Sequence, residues 1–174
     1  VSSTMAAIVR FGIAGARDLL FQLVYESSCT GLPKFRSEVA AAYHRSVLSE
    51  TAMRAIYKAR GEKEDNAYLA GLLHDIGEAR VYRILAEVKE KSTPDRAREL
   101  VERYHEQAGA ELAKEWRLPQ ALVDVCGSHH DDAAATTPLV KNLMAADVVA
   151  SAIAQRRAPD DEEDRKSTRL NSSH

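Results

Sequence analysis

"AYLAGLLHDIGE", the stretch from Ala67 to Glu78, decides the fold, because an apolar run here ends on an adjacent histidine and aspartate. Its apolar residues recur at helical spacing and do not alternate as they would in a half-buried strand. We therefore predict a helix near residues 64–77 that carries His74 and Asp75 at the end of a buried face. Burying an ionisable pair is costly unless a partner compensates it, so this pair is the first candidate for a functional site.

The same helical spacing continues along the chain, and no alternating run of Val, Ile and Thr is long enough to start a sheet. The predicted fold class is therefore all-α. Thr93–Pro94 and Thr137–Pro138 each place an N-cap hydroxyl before a proline at the first helical position, and Leu118–Pro119 marks a further boundary. Gly61 and Gly77 are typical of helix ends. We predict helices near residues 4–28, 36–60, 64–77, 79–90, 94–116, 119–130 and 137–157.

Length and composition indicate one soluble globular domain, with 174 residues, 19.2 kDa, 45% hydrophobic and 29% charged residues. A formal net charge of −2 supplies no basic surface field, so we expect no DNA or RNA partner. Met5–Tyr25 is apolar but contains Arg10, Arg17 and Asp18, which argues against a membrane span. Two cysteines are too few for a disulfide framework, and no positive stretch followed by an apolar run marks export. We expect a cytoplasmic protein.

The C-terminal sequence differs in composition from the rest of the chain. Asp160–Asp164 is an acidic block that repels itself, and the Ser-rich and Asn-rich residues after it have little to bury. We therefore expect a folded domain over residues 1–157 and a disordered tail over residues 158–174. The final residues, "KSTRLNSSH", resemble a translated sequencing-adapter scar, so we treat the tail as partly non-native and give His174 no role.

Several ionisable side chains fall on the apolar faces of the predicted helices. His105 shares a face with Val101 and Ala108, and Asp147 follows Leu143 by four residues. A single histidine on an apolar face is better explained as a hydrogen-bonded core residue. A whole set of them indicates a common partner. The residues predicted to point inward are His44, His74, Asp75, His105, His129, His130 and Asp147.

A shared divalent cation is the partner that best explains this set. Imidazole nitrogens and carboxylate oxygens are ligands that suit zinc, iron and manganese, and one carboxylate can bridge two ions. We therefore predict a metal-capable site for one or two ions. The alternative is a polar core that is satisfied by hydrogen bonds without a metal.

The order of these residues resembles that of the HD superfamily of metal-dependent phosphohydrolases, which are all-helical proteins. More narrowly, "AYLAGLLHDIGE", the stretch "HEQAGAELAKEWRLP" from His105 to Pro119 and the later "SHH" are similar to the HDOD domain, the HD-related output domain of bacterial signalling proteins. This resemblance implies an HD/HDOD-type helical bundle over about residues 1–157. It also implies an N-terminal helical lobe that would precede Val1.

The resemblance assigns roles to the inward-pointing residues. One metal would be held by His44, His74, Asp75 and Asp147, and Asp75 would bridge to a second metal held by His105, His129 and His130.

The resemblance also implies a regulatory module that acts by binding a signalling protein or a nucleotide. The alternative is a metal-dependent phosphohydrolase, either a phosphodiesterase of the HD-GYP type or a nucleotide phosphohydrolase, in which Asp75 would be catalytic. Catalytic relatives usually carry a lysine directly after HDIG, where this chain has Glu78. Because a carboxylate at that position repels phosphate, we favour the regulatory hypothesis over the enzymatic one. The sequence makes no prediction of the oligomeric state.

Overall fold

The computed structural model describes residues 4–29, 32–88, 93–131, 133 and 136–157. These residues form α-helices and one short 3₁₀ helix, Pro33–Phe35, and they contain no strand, so the protein is all-α as predicted. The predicted tail, residues 158–174, lies outside the described residues. The helices are α1 (Thr4–Cys29), α2 (Arg36–Arg60), α3 (Ala67–Leu73), α4 (Ile76–Glu87), α5 (Pro94–Glu115), α6 (Gln120–Ser128) and α7 (Pro138–Arg157).

Local capping signals set several of the helix ends. The Thr93 hydroxyl accepts a hydrogen bond from the backbone N–H of Arg96 at 3.2 Å, and the Thr137 hydroxyl accepts one from Val140 at 3.3 Å. Each of these bonds satisfies an N–H that the first helical turn leaves without a partner. Gly61 ends α2 in the left-handed conformation, with φ 67°, which a glycine adopts without steric cost. These three predicted boundaries are confirmed.

The boundary predicted at Gly77 is wrong. The chain breaks earlier, at His74 and Asp75, which form the turn between α3 and α4, whereas Gly77 lies inside α4. A Cβ atom at Gly77 would overlap the backbone carbonyl oxygen of His105 and lie 2.6 Å from the backbone nitrogen of Gly109. Gly77 is therefore required by the close approach of α4 to α5, and not by a helix end.

The helices pack so that the α3–α4 turn lies in the interior. Helix α2 packs against α3 and α7, α4 packs against α5, and α5 packs against α6. Apolar side chains from α3, α6 and α7 fill the centre, among them Leu72, Leu122 and Leu143. In the described ranges, no helix combines the length and the apolar character that crossing a membrane requires.

We predict that Gly77→Ala destabilises the protein by about 3 kcal/mol, the upper end of the usual cost of overpacking, because neither backbone can move without displacing a whole helix. Gly109→Ala is the matched control on the facing helix, since its Cβ would meet its nearest neighbours at 3.3–3.5 Å. It should change stability by no more than about 1 kcal/mol. Urea unfolding followed by circular dichroism measures both changes, and equal values for the two variants would contradict the close packing of α4 on α5.

Candidate metal centre

The turn between α3 and α4 places an adjacent histidine and aspartate inside the bundle. His74 is completely buried, and Asp75 is 4% exposed. The His74 backbone N–H donates to the carbonyl of Ala70 at 3.2 Å, which continues the α3 hydrogen-bond pattern to this residue. Asp75 then precedes the first residue of α4, so both side chains leave the backbone at the point where the two helices meet.

Three buried histidines, His74, His105 and His129, are oriented in the same way. In each ring, Nδ1–H donates to a backbone carbonyl three or four residues earlier. The acceptors are the carbonyl oxygens of Gly71 at 2.9 Å, Val101 at 3.0 Å and Val125 at 3.0 Å. This bond fixes each ring and directs Nε2 away from its own helix, which is the orientation that second-shell hydrogen bonds give to metal-binding histidines.

The three Nε2 atoms converge on the carboxylate of Asp75. His129 Nε2 lies 3.1 Å from Oδ1, and His105 Nε2 lies 3.8 Å from the same oxygen. His74 Nε2 lies 3.3 Å from Oδ2. Among the described residues, His105 Nε2 has no hydrogen-bond partner although it is buried. An unpaired buried nitrogen costs free energy, so this atom is a candidate for binding a ligand such as a metal ion.

Asp147 reaches the cluster from α7. Its Oδ1 accepts a hydrogen bond from the Ser49 hydroxyl at 3.0 Å and lies 3.2 Å from His74 Nε2. The side chain is 22% exposed, so it lies at the edge of the core and not in the middle of a buried face as its sequence spacing predicted. Asp147 thus connects α2, α7 and the α3–α4 turn at one point.

The structure brings together six of the seven predicted residues, in two groups that share Asp75. Within each group, one potential ligand atom from every residue lies within 4.8 Å of the others. His130 belongs to the first group although the residue as a whole is exposed. The first group is Asp75, His105, His129 and His130, and the second is His74, Asp75 and Asp147.

His44 is the exception, and its predicted inward orientation is wrong. The residue is exposed and belongs to neither group. The buried face of α2 carries Ala42, Ser46 and Ser49. His44 lies two residues from both Ala42 and Ser46, which rotates it about 200° away from each of them around the helix. Its side chain therefore points to the opposite side of α2.

Arg45 is the residue that sequence reasoning missed. Its Nη2 lies 2.7 Å from Glu78 Oε1 and 3.8 Å from Asp75 Oδ2. The available signal was its spacing, because Arg45 follows Ala42 by three residues and precedes Ser49 by four, on the buried face of α2. The resulting ion pair places a guanidinium group beside the Asp75 carboxylate.

Neighbouring charges decide the protonation of the buried pair. Burial lowers the pKa of His74, but the charge of Asp75 and the hydrogen bonds to Asp147 and Asp75 outweigh it and raise the pKa to about 10. Burial likewise opposes ionisation of Asp75, yet the His74 charge and the His129 hydrogen bond hold its pKa well below the usual range. Burial together with the Asp75 charge raises the pKa of Glu78, against the opposing effect of Arg45. Asp75 is therefore ionised at neutral pH.

A cavity of about 710 Å³ opens onto the cluster at His105 and His130. This volume is within the range of small-ligand sites. Its charged lining has four carboxylates and two guanidinium groups, namely Glu38, Glu78, Glu102, Glu106, Arg45 and Arg98.

The residues of the first group fit a divalent metal. They offer imidazole nitrogens and one carboxylate oxygen, a donor set that suits zinc, iron or manganese. Two atoms bound to the same zinc ion at about 2.0–2.2 Å lie on the order of 3–3.5 Å apart. The separations of His129 Nε2 and His105 Nε2 from Asp75 Oδ1, 3.1 and 3.8 Å, are close to this spacing. The described residues leave His105 Nε2 without a hydrogen bond, so this nitrogen is available to a metal ion.

An all-α bundle with an adjacent His–Asp pair at its centre, and further histidines on neighbouring helices, has the arrangement of an HD-type domain. A family model of the HDOD domain matches residues 1–132. The chain belongs to the HDOD family, and this membership supports an HD-related signalling or regulatory module. Asp147 lies after the matched range and joins the cluster through its contact with His74. No match was found among curated proteins or among solved structures.

Cys126 lies beside this cluster and has a packing role. It is fully buried, and its thiol donates to the backbone carbonyl of Leu73 at 3.3 Å. Burial, and to a lesser degree the Asp75 charge, raise the pKa of this thiol to about 12.

We predict that in a Cys29→Ser background native protein shows no thiol reaction with Ellman's reagent at pH 8, whereas urea-unfolded protein reacts with one equivalent of thiol per chain. A rapid reaction of the native protein would contradict the burial of Cys126.

Proposed function

We propose that this chain is a regulatory module that holds a divalent metal at the Asp75 cluster and acts by binding a partner protein over the adjoining cavity. The observation that carries the proposal is the convergence of three oriented imidazoles on one carboxylate, with His105 Nε2 lacking a hydrogen bond from any described residue. A polar core satisfied by hydrogen bonds alone would not leave this nitrogen without a partner.

The residues that would hold the metal are those of the first group, namely Asp75, His105, His129 and His130. When bound, a divalent ion supplies a positive charge that offsets the buried carboxylate and attracts an oxygen or nitrogen atom of a ligand. The chain itself contributes rigidity, because each buried ring is fixed through Nδ1 before any ligand arrives. Such preorganisation suits a binding site that changes little on occupation.

The charge of the cavity supports a protein partner over a nucleotide. Its lining has more carboxylates than guanidinium groups. Of its two arginines, Arg45 is held by Glu78, whereas Arg98 forms an exposed pair with Asp95. Besides the proposed metal ion, a phosphate group entering the cavity therefore meets mainly acidic side chains.

The same charges argue against phosphate ester hydrolysis. Hydrolysis requires donors or cations directed at the developing negative charge of the phosphoryl group. At the position after HDIG the chain presents Glu78, whose carboxylate is held in the wall of the cavity by Arg45. Apart from the proposed metal ion, the described lining presents no cation in place of Glu78, which favours a binding site over a phosphohydrolase.

We predict that metal-free protein binds zinc or manganese and that His105→Ala weakens this binding by more than about 100-fold, because a direct ligand is lost. Isothermal titration calorimetry measures the affinity, and circular dichroism checks that the variant is folded. His44→Ala is the matched control, since it removes an exposed histidine outside both groups. It should bind the metal as the unchanged protein does. Equal loss in the two variants, or no binding by the unchanged protein, would contradict the proposed metal site.

We also predict that manganese-loaded protein has no phosphohydrolase activity. Its rates of hydrolysis of bis(p-nitrophenyl) phosphate, nucleoside triphosphates and cyclic dinucleotides should each stay within about twofold of the rate with manganese alone. None of these nucleotides should raise the melting temperature, because the acidic cavity repels them. Turnover that is abolished by Asp75→Asn would instead establish a phosphohydrolase. A nucleotide-dependent thermal shift without turnover would replace the protein partner by a nucleotide ligand.

A further inference from the structure

The two candidate metal groups are not equivalent, because the two oxygens of Asp75 have different surroundings. Oδ1 faces His129 Nε2 at 3.1 Å and His105 Nε2 at 3.8 Å. Oδ2 faces His74 Nε2 at 3.3 Å and the guanidinium group of Arg45 at 3.8 Å. One side of the carboxylate thus presents two imidazole nitrogens, whereas the other side already has a permanent cation beside it.

The donor atoms on the Oδ2 side are paired within the protein. Asp147 Oδ1 accepts from Ser49 at 3.0 Å and lies 3.2 Å from His74 Nε2. Glu78, the next carboxylate on this side, is held by Arg45 at 2.7 Å. By contrast, the Oδ1 side contains His105 Nε2, which has no hydrogen-bond partner among the described residues.

We infer that Arg45 takes the place of a second metal ion, so that the cluster binds a single divalent ion on the Oδ1 side of Asp75, with His105, His129 and His130. This inference rests on the proposed metal-binding function and adds its stoichiometry and its location. An arginine side chain stays charged at any ordinary pH. A divalent ion at the His74 group would have to lie beside that guanidinium charge, and repulsion at such short range in a buried site is strong.

The guanidinium group also explains how the carboxylates of Asp75 and Glu78 lie on the same side of α2, since both approach Arg45. Two carboxylates three residues apart in the chain repel each other when they are buried together. Arg45 contacts both, with its Nη2 atom at 3.8 Å from Asp75 and 2.7 Å from Glu78. A second metal would perform the same neutralisation, so the arginine makes that ion unnecessary as well as unfavourable.

The test is the number of metal ions per chain, measured by elemental analysis after loading with excess zinc and dialysis. The unchanged protein should retain about one ion, and Arg45→Gln should retain about two, because the guanidinium charge that repels a second ion beside Asp75 Oδ2 is then removed. Arg45→Lys, which keeps the charge, should retain about one. The matched control is Arg80→Gln, since Arg80 also pairs with a glutamate and its side chain has the same 29% exposure.

Two further variants locate the ion without changing Arg45. His130→Ala should lower the retained zinc toward zero, whereas Asp147→Asn should leave about one ion per chain. The reverse pattern would overturn the inference, and so would two ions in the unchanged protein or a single ion in folded Arg45→Gln. An absence of zinc from the unchanged protein would reject the proposed metal-binding function itself and the inference with it. Two ions would reject only the inference.

Discussion

The carboxylate of Asp75 is the constraint on which the rest of the structure depends. Four cationic or imidazole groups from different helices approach its two oxygens within 3.8 Å, and they belong to Arg45, His74, His105 and His129. A carboxylate this deeply buried is tolerated only where such partners surround it. Because these partners come from α2, α5, α6 and the α3–α4 turn, satisfying one side chain specifies how the bundle is assembled.

Backbone geometry makes that convergence possible. Gly77 lets α4 approach α5 until backbone meets backbone, and this approach sets the distance between Asp75 and His105. Each buried histidine then uses a carbonyl from its own local backbone to fix its ring. The helices therefore supply both the positions of the imidazoles and their tautomers, so that the Nε2 atoms face Asp75 before any ligand binds.

The cluster combines two ways of neutralising buried negative charge. Beside Asp75 Oδ2 the positive charge comes from the side chain of Arg45. Beside Oδ1 the imidazole nitrogens are suited to binding an ion from solution. Above both lies a cavity whose carboxylates outnumber its guanidinium groups. This combination is the basis of our proposal that the site holds a metal and contacts a partner protein, in preference to cleaving phosphate esters.

Periodicity and capping residues in the sequence by themselves determined the all-α class, most helix ends and the inward positions of His105 and His129, because these depend on interactions within a few residues. Sequence spacing placed His44 inward, whereas the structure places it outward and directs Arg45 to the cluster. Only the tertiary structure could decide this, since each residue turns a helix by about 100° and the packing of its neighbours selects which face is buried. The same holds for Gly77, whose role exists only where α5 lies against it.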